Sequence, residues 1–231
     1  MNEKEKISNL LSKITVWAKE KGLHLLTPLD QLPKLNEEYG ELNKAFLKND
    51  KIQLADGIGD TLVVCSVIMA QYEQRTRVFN LADYYYTKLK GFSFGNKLYD
   101  LQYQLSSFIE QAVVYFDVTR NDSYSERRVE YVKQAFSRVV LTMQSFCEEQ
   151  DIFLSDALNM ALTTISFRSG EIVNGVFVKR EPNTVICVPY AFTKLSNEKL
   201  IEKINEYALQ NEIKFFKIEF TVNNIIEHKG V

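Results

Sequence analysis

Glu37-Glu38-Tyr39-Gly40-Glu41-Leu42 and Asp56-Gly57-Ile58-Gly59-Asp60-Thr61-Leu62 are the two stretches on which the reading of this chain turns. Between them, Lys48-Asn49-Asp50 is polar and reads as a short turn. Upstream of the turn, Leu32, Leu35, Tyr39, Leu42 and Phe46 step by 3, 4, 3 and 4, which is one apolar stripe of an amphipathic helix. Thr27-Pro28 starts that helix, because Pro is tolerated in a first turn. Downstream, Lys51 to about Gln74 reads as a second helix. Its stretch Leu62 to Ala70 is apolar all round except for Ser66, and such a helix is buried on every side. The short connector makes the two an antiparallel hairpin.

The hairpin carries an acidic constellation. Glu37, Glu38 and Glu41 lie on its first helix, Asp56 and Asp60 on its second. Spacings of three and four residues put side chains on one helix face. The midpoint of Glu38 and Asp60 is position 49, and that of Glu41 and Asp56 is 48.5, so both fall in the same turn. The two acidic pairs are therefore expected at matching heights along the antiparallel helices. Carboxylates gathered there repel each other, and a divalent cation is the simplest compensation. Oxygen-only ligation selects a hard ion, Mg²⁺ or in its place Mn²⁺. Read alone, Glu-Glu-x-x-Glu is a solvated helix face. Two further features argue for a site. Asp60 opens the apolar run, where an unpaired carboxylate is costly. Gly57 and Gly59 each cost a helix about 1 kcal/mol relative to Ala, which makes sense where something approaches the backbone closely.

Working outward, Ile7, Leu10, Leu11, Ile14, Trp17 and Ala18 mark a helix over 7–21 that Gly22 ends. Helical patterning returns at about 97–118 and 124–149, split by a turn at Arg120-Asn121-Asp122-Ser123, and again at 154–168. Asn174-Gly175 between β-branched residues signals a hairpin. After Pro182 the pattern becomes strand (185–192), helix (197–210) and one or two strands (214–226). The expected organisation is a helical domain over 1–182 with an insertion at about 75–144, then a small α/β appendage over 183–231 that takes no part in the chemistry.

Composition narrows the class. The chain has 231 residues, with Lys plus Arg 28 against Asp plus Glu 30, so the formal charge is −2. A near-neutral balance gives no strong nucleic-acid signal. Nine Gly and four Pro favour long helices. Cys65, Cys147 and Cys187 form no Cys-x-x-Cys pair, so a reducing, cytoplasmic setting is expected, with the thiols inert in the core. No secretory signal is visible, and the run at 62–70 is half the roughly 18 residues that span a bilayer.

Three blocks of residues resemble the MazG-like, all-α nucleoside triphosphate pyrophosphatases, especially their short phage-type members. The first holds Trp17-Ala18, Gly22-Leu23, Thr27-Pro28, Gln31, Lys34-Leu35 and Glu37 to Leu42. The second is Asp56 to Asp60 with Leu62-Val63-Val64. The third is Ala161, Ile165, Arg168, Gly170 and Gly175-Val176-Phe177-Val178-Lys179. Together they cover about 10–74 and 145–181. The resemblance implies a mainly α, antiparallel helical bundle whose central helices hold Mg²⁺. It implies hydrolysis of a nucleoside triphosphate to the monophosphate and pyrophosphate. The family's metal pairs fall on Glu38 and Glu41, and on Asp60. The remaining family acid is replaced by Gly57, with Asp56 adjacent to take over. Thr163, Ser166 and Phe167 stand where the family carries polar residues.

From the chemistry of such a site, Glu37 or Glu38 orients water or accepts its proton. Lys34, Arg168 and Lys179 meet phosphate charge or serve as ion-paired surface residues. Trp17 stacks on a base or belongs to the core. The expected partners are the triphosphate and, in an oligomer, further copies of the chain, with no membrane. The rival reading is a non-catalytic helical module that binds a nucleotide or a protein. Gly91-Phe92-Ser93-Phe94-Gly95 fits the serine-hydrolase elbow only as a pattern, since the sole later histidine is His228. Tyr84-Tyr85-Tyr86 with Lys88 and Lys90 reads as packing or a lid in preference to single-strand binding.

Overall fold

Asn2 starts the first helix, α1 (Glu3–Glu20), through a capping box: its side chain accepts from the Glu5 N–H at 2.9 Å, and Glu5 accepts from the Asn2 N–H at 3.0 Å. Gly22, at φ +73°, ends it in the left-handed conformation that glycine adopts without strain. The computed structural model describes residues 2–76, 97–114, 122–173, 176–180, 182, 184–214, 216–221 and 226–229. Across these the chain is mainly helical with two small sheets.

The expected hairpin forms. Helix α2 (Pro28–Leu47) starts at Thr27, whose N–H and hydroxyl both donate to Asp30 at 3.0 Å. Helix α3 (Lys51–Thr76) follows after a turn in which Asn49 has φ 54°. By length and composition α3 could cross a membrane, at a mean hydropathy of 1.5, but 83% of that window is buried within the protein. Its apolar surface is used by α1, α2 and α6, which pack around it. The hydroxyls of Thr61 and Ser66 donate to the carbonyls of Gly57 and Leu62 at 2.7 Å, so neither is left unpaired in the core.

The two glycines of α3 answer to different neighbours. A Cβ on Gly57 would lie 2.8 Å from Leu42 Cα on α2. One on Gly59 would lie 2.5 Å from the Ala157 carbonyl oxygen and 2.7 Å from Ala161 Cβ, both on α6 (Leu154–Ser166). Backbone approach by helices, on two faces, is what they permit.

Helices α4 (Lys97–Ile109) and α5 (Asp122–Glu149) pack together through Phe108 and Phe136, whose centroids are 5.8 Å apart. Phe146 of α5 meets Phe46 of α2 at 5.7 Å, so α5 braces the hairpin. The helix expected over 97–118 widens into a π-type turn at Glu110–Val114. Tyr84-Tyr85-Tyr86, Gly91 to Gly95, Arg120-Asn121 and Asn174-Gly175 lie outside the described residues.

Strands β1 (Gly170–Val173) and β2 (Val176–Lys179) pair antiparallel, Gly170 opposite Lys179. The C-terminal unit orders its strands β4-β3-β5. Strand β3 (Thr184–Pro189) runs parallel to β4 (Lys217–Thr221) and antiparallel to β5 (Ile226–Lys229), with α7 (Asn197–Gln210) between β3 and β4. The expected strand over 185–192 stops at Pro189, where a 3₁₀ turn, Tyr190–Lys194, begins. This unit is tied to α6. Asn159 Nδ2 donates to the carbonyls of Thr193 and Leu195 at 2.8 and 2.9 Å, Asn197 Nδ2 donates to Thr163 Oγ1 at 3.0 Å, and Lys194 pairs with Asp156 at 2.9 Å.

Candidate functional site

Lys34, one turn before Glu38 on α2, reaches both neighbouring carboxylates. Its Nζ lies 2.8 Å from Glu37 Oε2 and 2.6 Å from Glu38 Oε1. The two ion pairs differ in kind, since the Glu37 side chain is 56% exposed and that of Glu38 only 4%. Burial works against the Lys34 charge, but the bonds to Glu37 and Glu38 outweigh it and raise its pKa. Lys34 in turn holds the Glu37 carboxyl below its usual range. Glu38 moves the other way: burial, then the charge of Asp60, pushes it up against the pull of Lys34.

Asp60 on α3 is buried, and its Oδ2 accepts from Arg168 Nη2 at 3.3 Å. Its other oxygen, Oδ1, is buried with no hydrogen-bond partner among the described residues. Asp56, one turn earlier, is raised to about 7 by burial and by Asp60, with Arg168 opposing. Glu41 is exposed, yet its charge reaches both Glu38 and Asp56. The four carboxylates thus share one electrostatic neighbourhood, as their mirrored positions about the turn require.

They do not share one coordination sphere. Among the described residues no three His, Cys, Asp or Glu side chains stand close enough to hold an ion. This differs from the expected convergence, and the reason is visible: Lys34 takes Glu38 and Arg168 takes Asp60, so two basic side chains supply compensation. The donor chemistry still fits a hard divalent ion, because the set is all carboxylate oxygen and Asp60 Oδ1 is a buried acceptor without a donor.

A cavity of about 420 Å³ opens onto this cluster. Its lining includes the apolar side chains of Trp17, Leu23, Leu26, Val63, Val64 and Val67. It also includes the polar and charged side chains of Asp30, Gln31, Lys34, Glu37, Glu38, Asp60, Arg168 and Lys179. Seven of the nine residues singled out from sequence therefore line one space, although they come from α1, α2, α3, the end of α6 and β2. Trp17 is 9% exposed and its buried Nε1 donates to nothing among the described residues. It belongs to the core and to the cavity wall at once. Lys179 has its pKa lowered by loss of solvent, then by the charges of Arg168 and Lys34, so three cations feel one another along this lining.

Asp56 faces a second cavity of about 200 Å³, which also includes Arg168 and Lys179. Its far wall is β4 with Phe216. Sequence reasoning missed Arg180, Ser169 and Lys217 there. Arg180 follows the matched Lys179, which was a usable signal; Lys217 lies in the C-terminal unit and had none. The unusual residues of the third block also find an explanation. Thr163 binds Asn197, Ser166 donates to the Leu162 carbonyl at 2.7 Å, and Phe167 packs on Phe216 at 5.2 Å. Two of the three serve the C-terminal unit.

Gly57 is not an open ligand position. A side chain there meets the α2 backbone, so a glutamate in place of Gly57 would push α2 from α3. Compared with family models, with curated proteins and with solved structures, the chain finds no match.

Proposed function

We propose that this chain hydrolyses a nucleoside triphosphate to the monophosphate and pyrophosphate in a divalent-ion-dependent reaction, on a bundle of the all-α pyrophosphatase type. One observation carries the reading: Trp17, Lys34, Glu37, Glu38, Asp60, Arg168 and Lys179 line a single cavity whose lining is part apolar and part charged. A base and sugar suit the apolar side chains and a phosphate chain the cations.

Glu38, Asp56 and Asp60 would hold the ion after leaving Lys34 and Arg168 and closing up from the separation described above, with Glu41 contributing charge from outside. A bound Mg²⁺ or Mn²⁺ supplies positive charge to phosphate oxygens and makes water more acidic. Lys34, Arg168 and Lys179 bind and orient the triphosphate. Attack joins a water oxygen to the α-phosphorus, the bond from that phosphorus to the α–β bridging oxygen breaks, and its electron pair leaves with pyrophosphate. Glu37 takes the water's proton. Lys34 turning from Glu37 to phosphate raises the Glu37 pKa and makes it a better base. The three free, buried cysteines suit a reducing, cytoplasmic setting.

The test is pyrophosphate release from a panel of nucleoside triphosphates with Mg²⁺, with Mn²⁺ and with EDTA. Release that needs the ion supports the proposal; none from any triphosphate sinks it. A second reading, a non-catalytic nucleotide-binding module, is favoured by the ion pairs of Lys34 and Arg168, which already neutralise Glu38 and Asp60. It predicts quenching or enhancement of the fluorescence of Trp17, the chain's sole Trp, by nucleotide without turnover.

A further inference from the structure

The second cavity is walled by parts of the chain that lie far apart in sequence. Asp56 of α3, Arg168 and Ser169 after α6, Lys179 and Arg180 at the end of β2, and Lys217 and Glu219 of β4 all line it. Its cations are Arg168, Lys179, Arg180 and Lys217, against Asp56 and Glu219. Two of the four are already matched: Arg168 pairs with Asp60 at 3.3 Å and Lys217 with Glu219 at 3.0 Å. Lys179 and Arg180 have no ion-pair partner among the described residues.

Local structure brings these groups together. The Arg180 N–H donates to the Ser169 carbonyl at 2.9 Å, and Gly170 pairs with Lys179 across the hairpin. Phe216, packed on Phe167 at 5.2 Å, brings the start of β4, and so Lys217, to the same place. Ser169 Oγ is buried and lacks a hydrogen-bond partner among the described residues, leaving a donor inside a basic pocket. Excess cations and an unused hydroxyl call for a compact oxyanion.

Resting on the function proposed above, we propose that β4 and the Lys179-Arg180 end of β2 complete an oxyanion pocket that takes the pyrophosphate leaving group. Arg168 and Lys179 line both cavities. A triphosphate with its base against the apolar side chains of the first cavity reaches the second by passing these two side chains. Cleavage then frees the distal phosphates where Arg180, Lys217 and Ser169 bind them. The C-terminal unit thereby enters the chemistry, contrary to the expectation that it stands apart.

The test uses the full chain and inorganic pyrophosphate in metal-free buffer, followed by calorimetry and ³¹P line broadening. Wild type is expected to bind, and Arg180→Ala with Lys217→Ala to weaken binding at least tenfold. Arg180→Lys with Lys217→Arg, which keeps both charges, is expected to restore most of it. Both side chains are on the surface, and circular dichroism checks the fold. No binding by wild type, or unchanged binding by the double alanine variant, overturns the proposal. A competition arm separates the sources of phosphate. Displacement of pyrophosphate by a non-hydrolysable triphosphate, and not by the nucleoside, supports the leaving-group assignment. Simultaneous binding of both overturns it and marks a separate phosphate site. Because these measurements need no turnover, they stand apart from the hydrolysis assay.

Discussion

Arg168 and Asp60, 108 residues apart in sequence, meet with Nη2 3.3 Å from Oδ2. This ion pair fastens the end of α6 to the middle of α3 and stands where the two cavities adjoin. Asp60→Asn keeps the side-chain shape, loses that pair, and relieves the repulsion that Asp60 exerts on Glu38 and Asp56. The opposing changes leave the thermal midpoint within a few degrees. Pyrophosphate release, by contrast, falls by roughly the 10²–10³ typical of losing a main electrostatic group in a site. A folded Asp60→Asn protein with wild-type turnover would remove Asp60 from the chemistry.

The α3 glycines make a prediction about packing alone. Gly59→Ala puts a methyl 2.5 Å from a backbone oxygen of α6, and Gly57→Ala puts one 2.8 Å from the α2 backbone. Overpacking of this kind costs about 1–3 kcal/mol. Gly40, on an exposed part of α2, has nothing within 4 Å of a Cβ, so Gly40→Ala stabilises by about 1 kcal/mol. Urea unfolding of the three variants reads the contrast. A neutral or stabilising Gly59→Ala would contradict the close approach of α6.

Lys34 holds two carboxylates of unequal burial. Removing it as Lys34→Met exposes Glu38 as a buried charge without its cation, at about 1–3 kcal/mol after protonation offsets part of the loss. The exposed pair with Glu37 contributes under about 1 kcal/mol. A double-mutant cycle with Glu38→Gln should therefore show larger coupling than one with Glu37→Gln. Equal coupling would mean that burial of Glu38 does not govern the pair.

Asp56 sets a pH dependence of stability. Its folded pKa, about 7, lies above the ordinary 3.8 because of burial, then Asp60, with Glu38 and Glu41 adding and Arg168 opposing. Between those values the folded state binds more proton than the unfolded state. The contribution is therefore present below pH 4 and lost as pH rises through 7. Glu38, also raised, acts in the same sense. Thermal midpoints should fall from pH 5.5 to pH 8, and Asp56→Asn should flatten the profile. An unchanged slope in that variant would place the titrating group elsewhere.

Asn159 ties the C-terminal unit to the bundle with two bonds to backbone carbonyls. Asn159→Ala leaves the Thr193 and Leu195 carbonyls short of a donor, at about 1–3 kcal/mol. Chemical denaturation and proteolysis near the 3₁₀ turn measure the loosening. Wild-type resistance would show that α7 and the sheet dock without it.

Much of this was legible in the chain. Apolar steps of three and four residues located α1 and α2, and an all-round apolar run located α3, to within a few residues, because helix patterning is written locally. The mirrored positions of Glu38 and Asp60, and of Glu41 and Asp56, about the turn placed two acidic pairs at matching heights of the hairpin, since a short turn leaves two antiparallel helices little freedom. Other relations depended on which faces pack. Whether Gly57 is open to a ligand or closed by Leu42 is a matter of helix rotation and distance, which no spacing rule reports. The Lys34 pairs span three and four residues, but that Arg168 takes Asp60, and that Lys217 joins Asp56 around one pocket, required residues more than a hundred positions apart to be brought together. Local spacing sets the faces of each element. Only the burial of those faces against one another decides which charges meet, because the energy of that meeting belongs to the packed core.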